Sequence, residues 1–348
     1  MHDTQPVSIT ATMNYIYLVS GILLFLLIVI DIIKTTFTSK GGGPVTTILS
    51  HSIWRVFFKL SGKKGTSKLL SYAGTAILVT VLLSWVAGLW IGMVLMLVSD
   101  PDSVVNSTTR IRADLVEKLY YAGFTLSTLG VGDYNASTNF WRVVTSIAAF
   151  SGLAFITASI TYFVPVLQAV GLQSKLSLYI HSMGKTPQEI LKNSWNGESF
   201  SSFSENVSDI SQMLMQHIMH HHSYPVIHYF IDNNPKVAIS PAVVTLAEIY
   251  HLLKYAVPPQ AGIDQVKMSI LETSIDTYIE LIKADFLESS TPNEEAPIPD
   301  VQPLRSAGIP LQEEDHLKKA LLEEVHERRR LLTLMLETHG WTWKEVYG

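Results

Sequence analysis

Three long apolar stretches occupy the first half of the chain, at residues 13–33, 69–98 and 140–170. The first has no charge before Asp31, the second has none, and the third has only Arg142 near its start. A helix of about 20 residues spans the roughly 30 Å hydrocarbon core of a bilayer. Each stretch therefore predicts a transmembrane helix. A signal peptide at 13–33 would need a basic leader and a small-residue cleavage site, and neither is present. The 69–98 stretch is longer than a crossing needs, which implies tilt. Gly88 and Gly92 within it have the small-xxx-small spacing of close helix packing, and scattered tolerated glycines read the same way.

The polar segments between these stretches set the topology. Residues 34–68 carry Lys34, Lys40, Arg55, Lys59, Lys63, Lys64 and Lys68 with no acid. Such loops stay in the cytoplasm. Gly41-Gly42-Gly43-Pro44 interrupts any helix there. Ile53, Trp54, Phe57 and Leu60 recur at helical spacing, which suits either a helix in the inner headgroup layer or one packed on protein. Residues 99–118 are polar with mixed charge and fall on the other side. From Asp114 to Leu126 the pattern predicts a short helix with an acidic cap, too short to cross. The N-terminus is then outside, the C-terminus is cytoplasmic, and the protein is a multi-pass cell-membrane protein. A prokaryotic inner membrane suits the compact, cysteine-free plan.

No crossing is predicted after residue 170. Thr186-Pro187-Gln188-Glu189 has the form of a helix start. Ser240-Pro241 opens another helix reaching Tyr255. Residues 263–287 and 312–339 read as two further long helices, the second stopped by Gly340. Residues 289–311 form a linker rich in Pro, Ser and Glu. The predicted fold class is an all-α membrane protein with a helical cytoplasmic domain. Its parts are residues 1–68 (first crossing and basic connector), 69–170 (membrane domain) and 171–348 (tail).

Composition sharpens this picture. Of 348 residues, 47% are apolar and 16% charged, below the roughly 25% charge of soluble domains. No cysteine is present, which excludes disulfides and thiolate metal sites. Residues 1–170 carry a net +4 and residues 171–348 a net −9. So acidic a tail argues against nucleic acid as a partner.

One hexapeptide lies between the second and third stretches: Thr128-Leu129-Gly130-Val131-Gly132-Asp133. A dehydrated monovalent cation needs a cage of oxygens in place of its water. Backbone carbonyls supply one when successive C=O groups face a common axis. That alternation requires positive φ at intervals, which glycine allows. Irregular backbone at membrane depth is tolerated when it is buried in protein or lines a pore. One chain supplies one strand of such a cage, so four copies must meet.

Residues 69–170 resemble the pore domain of the potassium-channel superfamily, with its outer helix, re-entrant pore helix, filter and inner helix. That family's filter is typically Thr-Val-Gly-Tyr-Gly-Asp. The resemblance implies a selectivity filter at Thr128, Leu129, Gly130, Val131 and Gly132, with Asp133 at the outer mouth. Tyr120-Tyr121 matches an aromatic pair of the family's pore helices and is implied to support the filter. Gly152, twenty residues after Gly132, matches the family's gating-hinge glycine, and Pro165 is a second candidate hinge. Val131 departs from the usual tyrosine that braces the filter, although family members with phenylalanine or leucine there still prefer potassium. The implied function is a homotetrameric, passive, potassium-selective channel. The alternatives are a weakly selective cation channel and a non-conducting sensor on the same fold.

Other residues leave choices open. Thr157 and Thr161 either face a water-filled cavity or bond back to their own helix. Asp31 reads as a solvated interfacial carboxylate or a gating group, the first being favoured. His217, His220, His221, His222 and His228 cluster in the tail. They read as a histidine-rich surface, with metal binding or proton sensing as the alternatives, and His217 and His221 share a helix face. Arg328-Arg329-Arg330 reads as a solvated face or an anion contact. No voltage-sensor arginine repeat, nucleotide-binding glycine motif or enzyme site is evident. The expected partners are three sister copies and the bilayer. Potassium is the permeant ion, and the gating stimulus is a proton, divalent ion or small molecule. No cofactor is expected.

Overall fold

The computed structural model describes residues 14–261, 264–287 and 291–348. The polar segment 1–12, Met13, Ile263 and residues 289–290 named above lie outside the described residues. The chain forms two compact units. The first holds residues up to 49 and 78–164, the second residues 50–77 and 165–348. Three helices are long and apolar enough to cross a membrane: Tyr15–Phe37, Lys68–Val98 and Asn139–Met183.

In the first unit, α1 (Tyr15–Phe37) starts at Asn14, whose side chain accepts the Ile16 N–H at 3.1 Å. After the glycine break come α2 (Pro44–Leu60), which passes into the second unit at residue 50, a single turn α3 (Lys68–Ser71) in that second unit, and α4 (Ala73–Val98), which returns to the first at residue 78. Within this unit α1 and α4 touch through small residues. A Cβ at Gly21 would lie 2.7 Å from the Gly92 carbonyl oxygen and the Met96 nitrogen, and one at Gly88 would lie 2.5 Å from Ile28 Cγ1. Gly88 and Gly92 are thus contact positions, which lets two apolar helices approach without a hydrophobic drive between them.

Asp31 is not solvated. It is 0% exposed. Its carboxylate accepts the Val45 N–H at 2.7 Å, the Thr46 N–H at 3.3 Å, the Thr46 hydroxyl at 2.7 Å and the Trp85 indole N–H at 2.7 Å. A buried carboxylate is tolerated when donors replace its water. These donors stand 14 to 54 positions away, which is why a local reading missed them. Gly43 backs onto the same group, where a Cβ would sit 2.2 Å from Asp31 Oδ1.

A three-residue strand β1 (Val104–Asn106) pairs antiparallel with β2 (Tyr134–Ala136). Between them lies α5 (Leu115–Leu126), and α6 (Asn139–Met183) follows. The third apolar stretch thus extends well past residue 170, with Pro165 inside the continuous helix.

The second unit continues with α7 (Pro187–Ser194), α8 (Ser201–Ser223), α9 (Ile239–Tyr255) and α10 (Gln265–Asp285). The Thr186 hydroxyl caps α7 by accepting the Glu189 N–H at 3.2 Å. α9 is the centre of the core and is buried on all faces except at Lys254. The described part of the 289–311 linker is not featureless, since it forms α11 (Gln302–Ser306). The helix predicted over 312–339 is broken into α12 (Glu314–Lys319), a wide turn at Ala320–Glu324 and α13 (His326–Thr338). There the Val325 N–H reaches back five residues to the Ala320 carbonyl at 3.1 Å. One extra residue in a turn rotates the apolar face, so Leu317 and Leu321 before it and Leu332, Met335 and Leu336 after it all reach the core. α14 (Lys344–Tyr347) ends the chain.

The triple arginine is not a solvated face. Arg329 is buried and makes a two-pronged pair with Glu248, at 3.0 Å from Nε and 2.8 Å from Nη2. His251 and Tyr347 complete the shell of that carboxylate. Burial alone would raise the Glu248 carboxyl, but the His251 hydrogen bond and the Arg329 charge outweigh it and hold it at about 2. Arg328 pairs with Asp276 and Arg330 with Glu327.

Replacing Asp31 by Ala strands the Trp85, Val45 and Thr46 donors in an apolar setting, at about 1–3 kcal/mol for each group left unpaired. Asp31→Ala is therefore expected to lower the melting temperature of the purified protein in detergent clearly more than Asp209→Ala, which removes an exposed carboxylate. Equal melting of the two variants would contradict this account.

Candidate functional site

The hexapeptide begins where α5 ends, and α5 is fixed at both ends. At its start Asp114 Oδ1 accepts the Glu117 N–H at 2.8 Å, and Glu117 Oε2 accepts the Asp114 N–H at 2.7 Å. The sequence predicted an acidic cap here, and the structure makes it reciprocal. Lys118, one residue on, is buried and donates to the Leu97 and Asp100 carbonyls at 2.9 and 2.7 Å. On the side of the helix, Trp90 Nε1 donates to the Leu119 carbonyl at 2.9 Å.

At the C-terminal end of α5 the chain tightens. The Thr128 N–H bonds the Thr125 carbonyl at 3.1 Å and the Leu129 N–H bonds Phe124 at 2.9 Å. From there φ alternates in sign. Thr128 has φ 58°, Gly130 60° and Gly132 88°, while Leu129 and Val131 are not in the left-handed region. Left-handed backbone is costly for a β-branched residue such as Thr128. The glycines adopt it freely, and a Cβ at either would meet open space. Residues 127–132 are exposed in the single chain, with Leu129 at 70% and Val131 at 50%.

The far end of the segment is also tied. The Ser107 N–H bonds the Asp133 carbonyl at 2.8 Å. The Tyr134 hydroxyl donates to Glu117, so the cap of α5 also holds the residue after Asp133. One oxygen of the Asp133 carboxylate is buried without a hydrogen-bond partner among the described residues. Tyr121 is buried and its hydroxyl meets that of Thr145 on α6 at 2.9 Å, whereas Tyr120 is more exposed and lies against Phe124 and Tyr134.

Gly152 belongs to this site through packing. A Cβ there would fall 1.9 Å from the Leu126 carbonyl oxygen, so α6 presses its backbone on the last turn of α5. α6 is continuous at both Gly152 and Pro165. Thr157 and Thr161 bond back to carbonyls of their own helix, at 3.2 Å to Leu153 and 3.0 Å to Ala158. The supporting residues that sequence missed are Trp90, Lys118, Tyr134 and Thr145. Their partners are distant in the chain, and only the acidic cap at Asp114 carried a local signal.

The second unit holds the histidines. The surface reading fails for three of them, because His217, His221 and His228 are 1%, 2% and 4% exposed. His339, which the sequence did not link to them, joins the end of the row. Ring centroids are 6.0 Å apart for His217–His221, 5.5 Å for His221–His228 and 4.5 Å for His228–His339. His228 stacks on Phe286 at 3.7 Å, and His217 lies by Tyr278. Ser240 holds His339 Nδ1. Both ring nitrogens of His217 and His221, and Nδ1 of His228, lack hydrogen-bond partners among the described residues. Among those residues no three metal-ligating side chains gather at a site. Burial lowers all four imidazoles, His217 to about 3 and His339 to about 4, and neighbouring imidazoles add to the effect at His217, His221 and His228.

Comparison with known proteins agrees with the membrane half and extends to the whole chain. The family model described as "Ion channel" matches residues 75–169. The uncharacterized membrane protein YdjJ of Bacillus subtilis (strain 168) is 31% identical over 333 residues, which cover 95% of this chain and 96% of that one. No solved structure matches.

The buried histidines give a sign to pH dependence. Their value in the unfolded chain is near 6.5, and the fold keeps them neutral well below that. Stability is therefore complete above pH 6.5 and falls as pH drops toward 4 and 3, where the unfolded chain takes up protons that the fold refuses. The slope is about 1.4 kcal/mol per pH unit for each histidine. Unfolding of the full chain in detergent is expected to shift to lower temperature between pH 7.5 and 5. His217→Phe with His221→Phe is expected to flatten that shift, and an unchanged pH dependence in the double variant would refute it.

Proposed function

We propose that this chain, which belongs to the family of the Bacillus membrane protein and carries an ion-channel domain at residues 75–169, is a homotetrameric, potassium-selective channel. Transport is passive, and the pore is entered from outside at Asp133. The carrying observation is the φ alternation at Thr128, Gly130 and Gly132 on a loop between two membrane-length helices. That backbone lets successive carbonyls face one side, where they replace the water of a dehydrated cation. Its exposure in the single chain supports a tetramer. Irregular backbone at membrane depth has to be covered by protein or face a water-filled path, and three sister copies around an axis provide both. Asp133 adds negative potential at the mouth and raises the local cation concentration.

Gating follows from the helix that presses on the filter. Gly152 holds α6 against the Leu126 carbonyl, so a shift of α6 moves the base of the filter directly. The chain then enters the cytoplasmic tail within α6, with no intervening loop. The tail histidines are the proton-responsive part of this reading, in which a charged imidazole loosens the tail.

Val131 favours a second reading on selectivity. Its side chain is half exposed and offers no hydroxyl to the α5 side of the filter. A filter braced less rigidly admits sodium more readily, which makes a weakly selective cation channel the alternative.

Potassium efflux from proteoliposomes tests conduction. The wild-type chain is expected to release trapped potassium, and Gly130→Ala and Gly152→Ala to abolish release while still assembling as tetramers. Wild-type-like release by Gly130→Ala would sink the filter assignment, and a monomer by light scattering would sink the tetramer.

A further inference from the structure

A cleft of about 470 Å³ opens in the second unit between α2, the turn at Pro225–Tyr229 and the ends of α10 and α13. Its walls are aromatic. Trp54 stacks on Phe58 with centroids 5.6 Å apart and tilts against Tyr229 at 5.5 Å, and Tyr229 meets Phe286 at 5.9 Å. Among the described residues its charges are all of one sign. Arg55 and Lys63 line it, and no acidic side chain does among the described residues.

Arg55 differs from the other arginines of the unit. Arg305, Arg328, Arg329 and Arg330 each pair with a carboxylate, in a tail that has acids to spare. Arg55 and Lys63 have no carboxylate partner among the described residues. Lys63 is also held in left-handed backbone at φ 58°, fixed by its N–H bond to the Phe58 carbonyl at 3.0 Å. The imidazole of His228 stacks on Phe286 beside the cleft.

We propose that this cleft binds a small planar aromatic anion, a carboxylate or phosphate. The ring lies among Trp54, Phe58, Tyr229 and Phe286, and the anionic head meets Arg55 and Lys63. A guanidinium takes either head through paired hydrogen bonds, and aromatic side chains accept a flat ring by offset or edge contacts. The volume fits one such molecule and falls in the range of small-ligand pockets. The proposal concerns binding and holds whether or not the chain conducts.

Calorimetric titration of the full chain in detergent tests it, with 2-naphthoate, adenosine monophosphate, inorganic phosphate and phosphatidic acid in mixed micelles as probes. At least one aromatic anion is expected to bind, with inorganic phosphate at least about tenfold weaker. Arg55→Ala and Lys63→Ala are each expected to weaken binding about tenfold, the loss of one charged hydrogen-bonding group, without changing the melting of the unliganded protein. Ala284→Phe, which fills the cleft, is expected to abolish binding. Undiminished binding in these three variants, equal binding of inorganic phosphate, or no binding of either aromatic anion would overturn the proposal. Binding of phosphatidic acid alone would also overturn it and make the cleft a lipid-headgroup site.

Discussion

Backbone that is neither helix nor strand has to be held from outside itself, and the first unit is arranged to hold Thr128 to Asp133. Their alternating φ leaves the segment almost no hydrogen bonds of its own. Its start hangs from the last turn of α5 and its end from Ser107 and Tyr134. The same Glu117 that caps α5 receives the Tyr134 hydroxyl, so one side chain sets both the start of the helix and the exit of the loop. The small β1–β2 pairing closes the polar segment over this arrangement. Gly152 completes it from behind, since only a residue without a side chain lets α6 reach the Leu126 carbonyl.

Two buried carboxylates and the buried imidazoles are treated in opposite ways. Asp31 is surrounded by donors, which fastens α1 to the start of α2 and to α4. Glu248 is likewise saturated, by Arg329, His251 and Tyr347. Such shells cost little once complete and a great deal once broken. Among the described residues the histidine row has only Ser240 on His339 and the contact of His339 with His228. Several of its ring nitrogens are buried and unpartnered, which disfavours protonation and ties the stability of the tail to pH.

Legibility in the sequence followed the range of the interactions. The three crossings, the capped α5 and the glycine alternation depend on neighbours within a few residues, and all were readable. The acidic start at Asp114 announced the cap, though not the return bond from Glu117, and Gly130 and Gly132 announced the φ signs. The burial of Asp31 was not readable, because its partners are Val45, Thr46 and Trp85. Nor was that of Arg329, whose carboxylate lies 81 positions away. The row of histidines looked like surface because His220 and His222 stand beside the buried pair, and because His339 arrives from the far end of the chain. The break in the 312–339 helix was hidden too. A wide turn leaves the apolar pattern intact and only shifts its phase.

The central claim is that the carbonyls from Thr128 to Gly132 select potassium. Single-channel recording in planar bilayers, with potassium on one side and sodium on the other, tests it most directly. The account predicts a current whose reversal potential follows the potassium gradient. A reversal potential near zero under that gradient, or no cation current from the tetramer, would contradict it.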